Sequence, residues 1–322
     1  MTSVLIFGGA GYIGTKLAEY LLDNKIASTV YIADIKECSL KGREGVIATI
    51  IDVRNPISAS FIKHPVEWIF NFAAIHREPG HQSHEYYETN ILGAQNVCSL
   101  AEKIGCNNIF FTASISTYGP TLKPTDEYTL TQPNTPYGIS KLTSEYIHRE
   151  WAAKEKNRRL ISVRPGVIYG PGDPGNILRM IKAVKKGYFL LPVTPKIKKS
   201  YGYIYGLLES MEFTINRDEK VIIYNYVEKE TETLGDMIKI INKVLGTNGK
   251  IIRFPMFLLK IAASILYKIK PNLNGIHPER VKKVARPTHI VPKVLQEKGF
   301  TFNYDFEKSL IHWKSVSPHD FE

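Results

Sequence analysis

Val4-Leu5-Ile6-Phe7 runs straight into Gly8-Gly9-Ala10-Gly11-Tyr12-Ile13-Gly14, and this stretch decides the fold. The apolar run is rich in β-formers and has the length of a buried strand. Beyond it, Ile13, Leu17 and Leu21 recur at helical spacing. A strand, a glycine turn and a helix N-terminus together make a phosphate cradle. Glycine admits the tight turn and a close backbone approach, while the free N–H groups and positive dipole end of the helix face an anion. The glycines follow G-x-x-G-x-x-G spacing at Gly8, Gly11 and Gly14. A second apolar strand, Thr29 to Ala33, ends at Asp34. That acid lies about twenty residues past the glycines, where a carboxylate can take the hydroxyls of an adenosine ribose.

Working outward, apolar strands alternate with helical stretches. Val46 to Ile51 ends at Asp52-Val53, and Trp68 to Phe72 runs into Ala73-Ala74. A long helix is predicted over 84–104. The strand Asn108 to Phe111 meets Ser114, an irregular proline-rich loop occupies 120–136, a helix runs from Tyr137 to about Lys156, and a strand covers Leu160 to Val163. Such alternation predicts an α/β protein with a doubly wound parallel sheet and helices on both faces. Ligands in such sheets bind at the C-terminal ends of the strands. Gly14, Asp34, Asp52, Ala73 and Ser114 all fall at or just beyond those ends, in one crevice. Residues 164–175 read as a breaker-rich linker. A strand at Val221 to Tyr226, a helix near Leu234 to Val244 and an apolar helix over Pro255 to Ile269 follow. The last is read as packing in a small lobe, with a membrane-surface or dimer role as the alternative. The expected division is a dinucleotide-binding domain over 1–170, to which segments around 200–245 return, and a substrate lobe over 171–322.

The 322 residues contain no apolar run of the ~18 residues that a membrane span needs. The first strand begins almost at once, leaving no room for a signal peptide. Cys38, Cys98 and Cys106 form an odd set without a C-x-x-C pair, which fits a reducing cytoplasm. Forty-two Lys and Arg against thirty-one Asp and Glu leave a net charge of +11. The excess lies mostly in the second half. No nucleic-acid-binding motif accompanies it, so a phosphorylated small substrate or a solvated basic surface is the expected reading.

The chemistry lies at Tyr137-Gly138-Ile139-Ser140-Lys141, where a phenol and an ammonium share one helix face. An unperturbed Tyr titrates near ~10. A neighbouring cation favours the phenolate, which makes Tyr137 a candidate base with Lys141 as its activator. Ser114, at the end of the preceding strand, is placed to hydrogen-bond the same substrate oxygen. His76, His81 and His84 with Glu78 and Glu85 match no catalytic zinc spacing. They read as a polar loop near the substrate, with His76 closest to the strand end.

These residues carry a resemblance. The chain resembles the extended short-chain dehydrogenases/reductases, in the branch of NAD-dependent nucleotide-sugar epimerases and dehydratases. The likeness rests on the glycine stretch 8–14, Asp34, Asp52-Val53, Asn71-Phe72-Ala73-Ala74, Asn90, Ser114, Tyr137 to Lys141 and Arg164-Pro165-Gly166. It implies a Rossmann-type doubly wound parallel sheet with a smaller C-terminal α/β substrate lobe, and NAD as cofactor. By the resemblance, Gly8, Gly11, Tyr12, Ile13, Gly14 and Asp34 hold the dinucleotide, and Asp52 and Val53 lie against the adenine. Ala73 and Ala74 line the dinucleotide, Asn90 supports the hydrogen-bond relay, Lys141 holds the nicotinamide ribose and Pro165 backs the nicotinamide. Ser114, Tyr137 and Lys141 are the implied catalytic set.

Departures from the family pattern narrow the chemistry. Dehydratases of the family place Asp-Glu after the catalytic Ser or Thr, whereas this chain has Ile115 and Ser116. Many members carry a diphosphate-gripping Asn where Val167 stands. Lys199 falls where an Arg often binds the diphosphate, and Lys lacks the bidentate fork. Arg280 is a second basic candidate. Asn176 resembles a substrate-contacting Asn, and His76 and Ser116 complete the expected substrate side. The sequence therefore predicts a C4 epimerase of a nucleotide sugar acting through a transient 4-keto sugar. The alternatives are a 4-ketoreductase, a hydroxysteroid-dehydrogenase-like oxidoreductase and a non-catalytic dinucleotide sensor. The resemblance implies a homodimer, paired through the two helices that commonly meet in dimers of the family, about 84–104 and 137–156.

Overall fold

The first strand, β1 (Ser3–Phe7), is buried at every position, which requires a sheet covered on both faces. In the computed structural model, which describes residues 2–78, 80–121, 123–191, 194–253 and 287–322, β1 is followed by α1 (Tyr12–Asp23), β2 (Thr29–Asp34), β3 (Val46–Ile50) and β4 (Val66–Asn71). Then come α2 (Ser83–Tyr87), α3 (Gly93–Ile104), β5 (Asn108–Thr112), α4 (Pro136–Lys154), β6 (Arg159–Pro165) and β7 (Val167–Tyr169). The rest comprises α5 (Asn176–Lys185), β8 (Tyr188–Leu191), β9 (Tyr201–Tyr203), α6 (Ile204–Ile215), β10 (Val221–Tyr226), α7 (Leu234–Leu245) and β11 (Lys250–Arg253), with helices Lys293–Glu297 and Phe306–Val316 near the end.

Seven strands form one sheet in the order β10-β6-β5-β4-β1-β2-β3, every neighbouring pair parallel. This is a Rossmann-like α/β fold. The period-2 alternation of β1 sorts its side chains between two cores. Val4 and Ile6 pack with Leu17 and Leu21 of α1 and Leu207 and Met211 of α6. Leu5 and Phe7 pack with Val97 and Leu100 of α3 and Trp151 of α4. Outside the sheet, β7 pairs with β9 and β8 with β11, each as a two-stranded parallel ribbon.

Two expectations change in detail. The helix predicted over 84–104 is interrupted by a π-helical turn, Glu88–Leu92, between α2 and α3. The linker 164–175 contains β7, because Val167, Ile168 and Tyr169 find strand partners in Tyr201, Gly202 and Tyr203 despite the breakers around them. The apolar helix predicted over Pro255 to Ile269 and the candidate Arg280 lie outside the described residues. Among the described residues no helix is long and apolar enough to cross a membrane.

Candidate active site

The glycine turn sits where the sequence placed it, between β1 and α1. Gly8 has φ +73°, and a Cβ there would lie 2.7 Å from the Ala73 nitrogen. Only glycine lets the turn meet the exit of β4, which puts Ala73 and Ala74 beside the cradle. Gly11 is the N-cap of α1 and offers no capping side chain, so the first-turn N–H groups are left for an anion. Tyr12, Ile13 and Gly14 open that helix. The Asp34 carboxylate closes the rim, accepting from the N–H of Ala10 at 3.0 Å and of Lys36 at 3.1 Å.

Asp52 forms an ion pair with Arg54 at 2.6 Å. The hydrogen bonds from Arg54 hold its carboxyl below the usual range. Val53 is tied behind it, its carbonyl accepting from Asn96 Nδ2 at 2.8 Å. Asn90, in the π turn, uses its amide as a brace. Its Oδ1 accepts from the Ile75 N–H at 2.9 Å, and its Nδ2 donates to Ser140 Oγ at 2.8 Å. The loop leaving β4 is thereby fastened to α4. Pro165 ends β6 and is buried.

Tyr137, Ser114 and Lys141 come together for identifiable local reasons. Thr135 caps α4, its Oγ1 accepting from the Gly138 N–H at 3.2 Å, and Pro136 occupies the first turn. A Cβ on Gly138 would stand 2.6 Å from the Ser116 carbonyl oxygen, so glycine here seats α4 against the 3-10 turn Ile115–Tyr118. Buried Ser114 begins that turn, with Oγ accepting from the Ser116 N–H at 3.1 Å. The Ser114 side chain lies close enough to the Tyr137 hydroxyl to favour its phenolate. Lys141 is only 2 % exposed, and its ammonium lies 4.4 Å from the centre of the Phe111 ring.

Burial pushes Tyr137 up to about 12, against the Ser114 side chain that favours its phenolate. Burial pushes Lys141 down to about 7, opposed by the Glu145 carboxylate one turn on. Burial thus opposes both the phenolate of Tyr137 and the charged form of Lys141. The ammonium rests on an aromatic face, and desolvation outweighs it. A cationic group brought into the crevice would supply the missing field.

Sequence reading missed the support beneath Lys141. His148 stacks on Phe111 with ring centroids 4.3 Å apart. His148 Nδ1 lies 2.7 Å from the Ser144 carbonyl oxygen and therefore donates to it. Its Nε2, 3.2 Å from Asn71 Nδ2, is left as the acceptor. Burial pushes His148 down to about 4, so it adds no second charge beside the lysine. Asn71 Oδ1 is buried without a partner among the described residues. Tyr86 was also missed: its ring centre is 6.3 Å from that of Tyr137. These contacts join residues far apart in sequence, and no local spacing announces them. Phe111→Leu is expected to remove a favourable ring–ammonium contact and so lower the pKa of Lys141 further. The alkaline limb of kcat/KM should move to lower pH by about one unit, which a pH–rate profile checks.

The substrate side is looser. His76 stands exposed beyond β4, held below the usual histidine range by surrounding protein and by the cations Arg77 and Lys141. Asn176 opens α5 and is exposed. The Val167 N–H donates to the Ser200 carbonyl at 3.1 Å, which sets Val167 beside Lys199. The two departures from the expected diphosphate grip are thus neighbours. Ser116 is half-buried in the 3-10 turn.

The model of the NAD dependent epimerase/dehydratase family matches residues 4–221. The chain belongs to this family. It is 28% identical over 317 residues to the N-acetyl-alpha-D-glucosaminyl-diphospho-ditrans,octacis-undecaprenol 4-epimerase of Escherichia coli O157:H7, covering 96% of this chain and 93% of that protein. It is 30% identical to UDP-glucose 4-epimerase 3 of Oryza sativa subsp. japonica, but over 58% of this chain and 57% of that one. Among solved structures, UDP-glucose 4-epimerase from Thermotoga maritima with UDP-glucose superposes with a TM-score of 0.78 at 17% identity, covering 100% of each chain. UDP-glucuronic acid 4-epimerase from Bacillus cereus, in complex with UDP-glucuronic acid and NAD, superposes at 0.76 and 17%, covering 99% of each. At such identities the superpositions speak for the fold. NAD is the cofactor of this family, and the residues present fit it: a cradle whose Gly8 position a Cβ would fill, and a carboxylate at its rim.

Asp34 would meet a 2′-phosphate with like charge. Its partners are the backbone N–H groups of Ala10 and Lys36, neither of them a charged group. The protein is expected to bind NAD in preference to NADP, and Asp34→Gly to narrow the difference. Titration of both cofactors into NAD-free protein checks this, and equal binding by the parent protein would contradict it.

Proposed function

We propose that the protein inverts C4 of a nucleotide sugar through a transient 4-keto sugar, with NAD retained from one turnover to the next. Tyr137 takes the proton of the C4 hydroxyl, and Ser114, whose side chain favours the Tyr137 phenolate, holds the same oxygen. Buried Lys141 and the cationic group that fills the crevice together favour the phenolate. When bound, NAD supplies the acceptor and donor for the hydrogen at C4. One observation carries the reading. The Ser114–Tyr137–Lys141 set is complete, while the next two positions are Ile115 and Ser116, which offer no acid or base for eliminating water. Purified protein should carry bound NAD and interconvert C4 epimers of a UDP-hexose with no cofactor added. Turnover only with stoichiometric reduced cofactor would favour the ketoreductase instead.

A second reading concerns what lies beyond the diphosphate. The E. coli relative, whose name gives a polyprenol in place of a nucleotide, aligns over nearly all of both chains. The rice UDP-glucose epimerase aligns over little more than half. That difference in alignment supports a polyprenyl-diphosphate sugar as a further substrate of the same site. Exposed Leu92, Ile139 and Tyr146 near and on α4 support pairing of two copies through these helices.

A further inference from the structure

The ribbon of β8 and β11 breaks the usual pattern of a surface strand pair. Phe189, Leu191 and Ile251 face the core. On the opposite face Tyr188 is 47%, Leu190 43% and Ile252 45% exposed. The parallel register sets Tyr188 beside Lys250 and Leu190 beside Ile252, so the three apolar side chains form one patch with a lysine in it. Exposed Lys186 precedes the patch, and exposed Arg253 ends β11 on the alternate side of the strand. No Asp or Glu stands in the sequence between Asp173 and Glu209, or between Asp236 and Glu279. Both strands of the ribbon thus lie in acid-free stretches.

We infer that this ribbon is a docking surface for an anionic lipid bilayer, an inference that rests on the lipid-carried reading of the substrate. Large apolar side chains beside Lys186 and Lys250, on strands whose own sequence stretches carry no acid, suit the boundary between charged headgroups and acyl chains. A second copy is a poor occupant, since two identical basic faces repel. Nucleic acid would use the cations and gain nothing from Leu190 and Ile252. Docking of this kind would bring the segments that carry Asn176, Val167 and Lys199 to the headgroup layer, where a polyprenyl-linked diphosphate sugar resides. No membrane-crossing helix is needed for it.

The test is co-sedimentation of the full-length protein with vesicles of phosphatidylcholine alone or of phosphatidylcholine with phosphatidylserine. Binding is expected to the second kind only, and to fall as salt screens the charges. Lys186→Glu with Lys250→Glu should weaken it by about fivefold for each cation removed, and more for the reversal of sign. Leu190→Gln with Ile252→Gln should weaken it at unchanged charge, and thermal melting and NAD content should match the parent in both variants. Equal sedimentation with both vesicle types, vesicle binding that both variants retain, or a dimer that the variants dissociate would overturn the inference. Epimerisation of a water-soluble UDP-hexose, followed in the same preparations, separates the two proposals. Turnover without vesicle binding defeats the docking surface alone, and vesicle binding without turnover of the UDP-hexose defeats the nucleotide-sugar reading alone.

Discussion

Replacing Tyr137 with Phe is expected to slow C4 inversion by about 10²–10⁴-fold while NAD content stays near that of the parent protein, the usual range for loss of a positioned acid–base group. The substitution removes one oxygen and leaves the ring beside Tyr86, so the fold of α4 has no reason to change. Ser114 cannot take over, because its Oγ already accepts from the Ser116 N–H and it has no cation of its own. Steady-state turnover on a UDP-hexose, alongside the absorbance of bound NAD, measures both halves. Near-parental turnover by the Phe variant would remove Tyr137 from the mechanism.

Arg164→Ala is expected to cost about 3–5 kcal/mol of stability, the range for stripping one partner from a buried ion pair. Arg164 Nη2 lies 2.5 Å from Glu145 Oε1, and its Nε lies 3.0 Å from Oε2. Ser162 also donates to Glu145, and Arg164 Nη1 donates to the Tyr118 hydroxyl. Neither charged side chain of the pair has appreciable contact with solvent. Removing the guanidinium leaves a carboxylate in the core one turn from Lys141. A paired change, Glu145→Leu with Arg164→Met, should cost less than the single one, since no charge is then stranded. Urea unfolding midpoints of the three proteins check the order. A single variant as stable as the parent would show that water reaches this cluster.

What was legible in the sequence was local and periodic. The glycine turn, Asp34 at the end of β2, and Tyr137 four residues before Lys141 each declare themselves within a short window. The strands of the central sheet show as apolar runs because both of their faces are covered. What stayed hidden depends on distant partners. Asn71 and His148 are 77 residues apart and meet only through the sheet, and Glu145 and Arg164 meet across β6 and α4. The π turn around Asn90 follows from tying Ile75 to Ser140, which no propensity encodes. β7 was concealed because Gly166, Gly170 and Pro171 flank it, and its strand character comes from pairing with β9. The electrostatics of the site were the least legible. Spacing put a cation near Tyr137, but the ring of Phe111 and the depth of burial decide how much of its charge Tyr137 feels.

The central claim, that the hydrogen leaves C4 and returns to the same carbon, is tested most directly with a UDP-hexose deuterated at C4. Incubated with purified protein and no added cofactor, it should yield the C4 epimer with deuterium still at C4 and no net reduced NAD. Epimer that has lost its deuterium to solvent, or deuterium that accumulates in reduced NAD without epimer, would contradict the account.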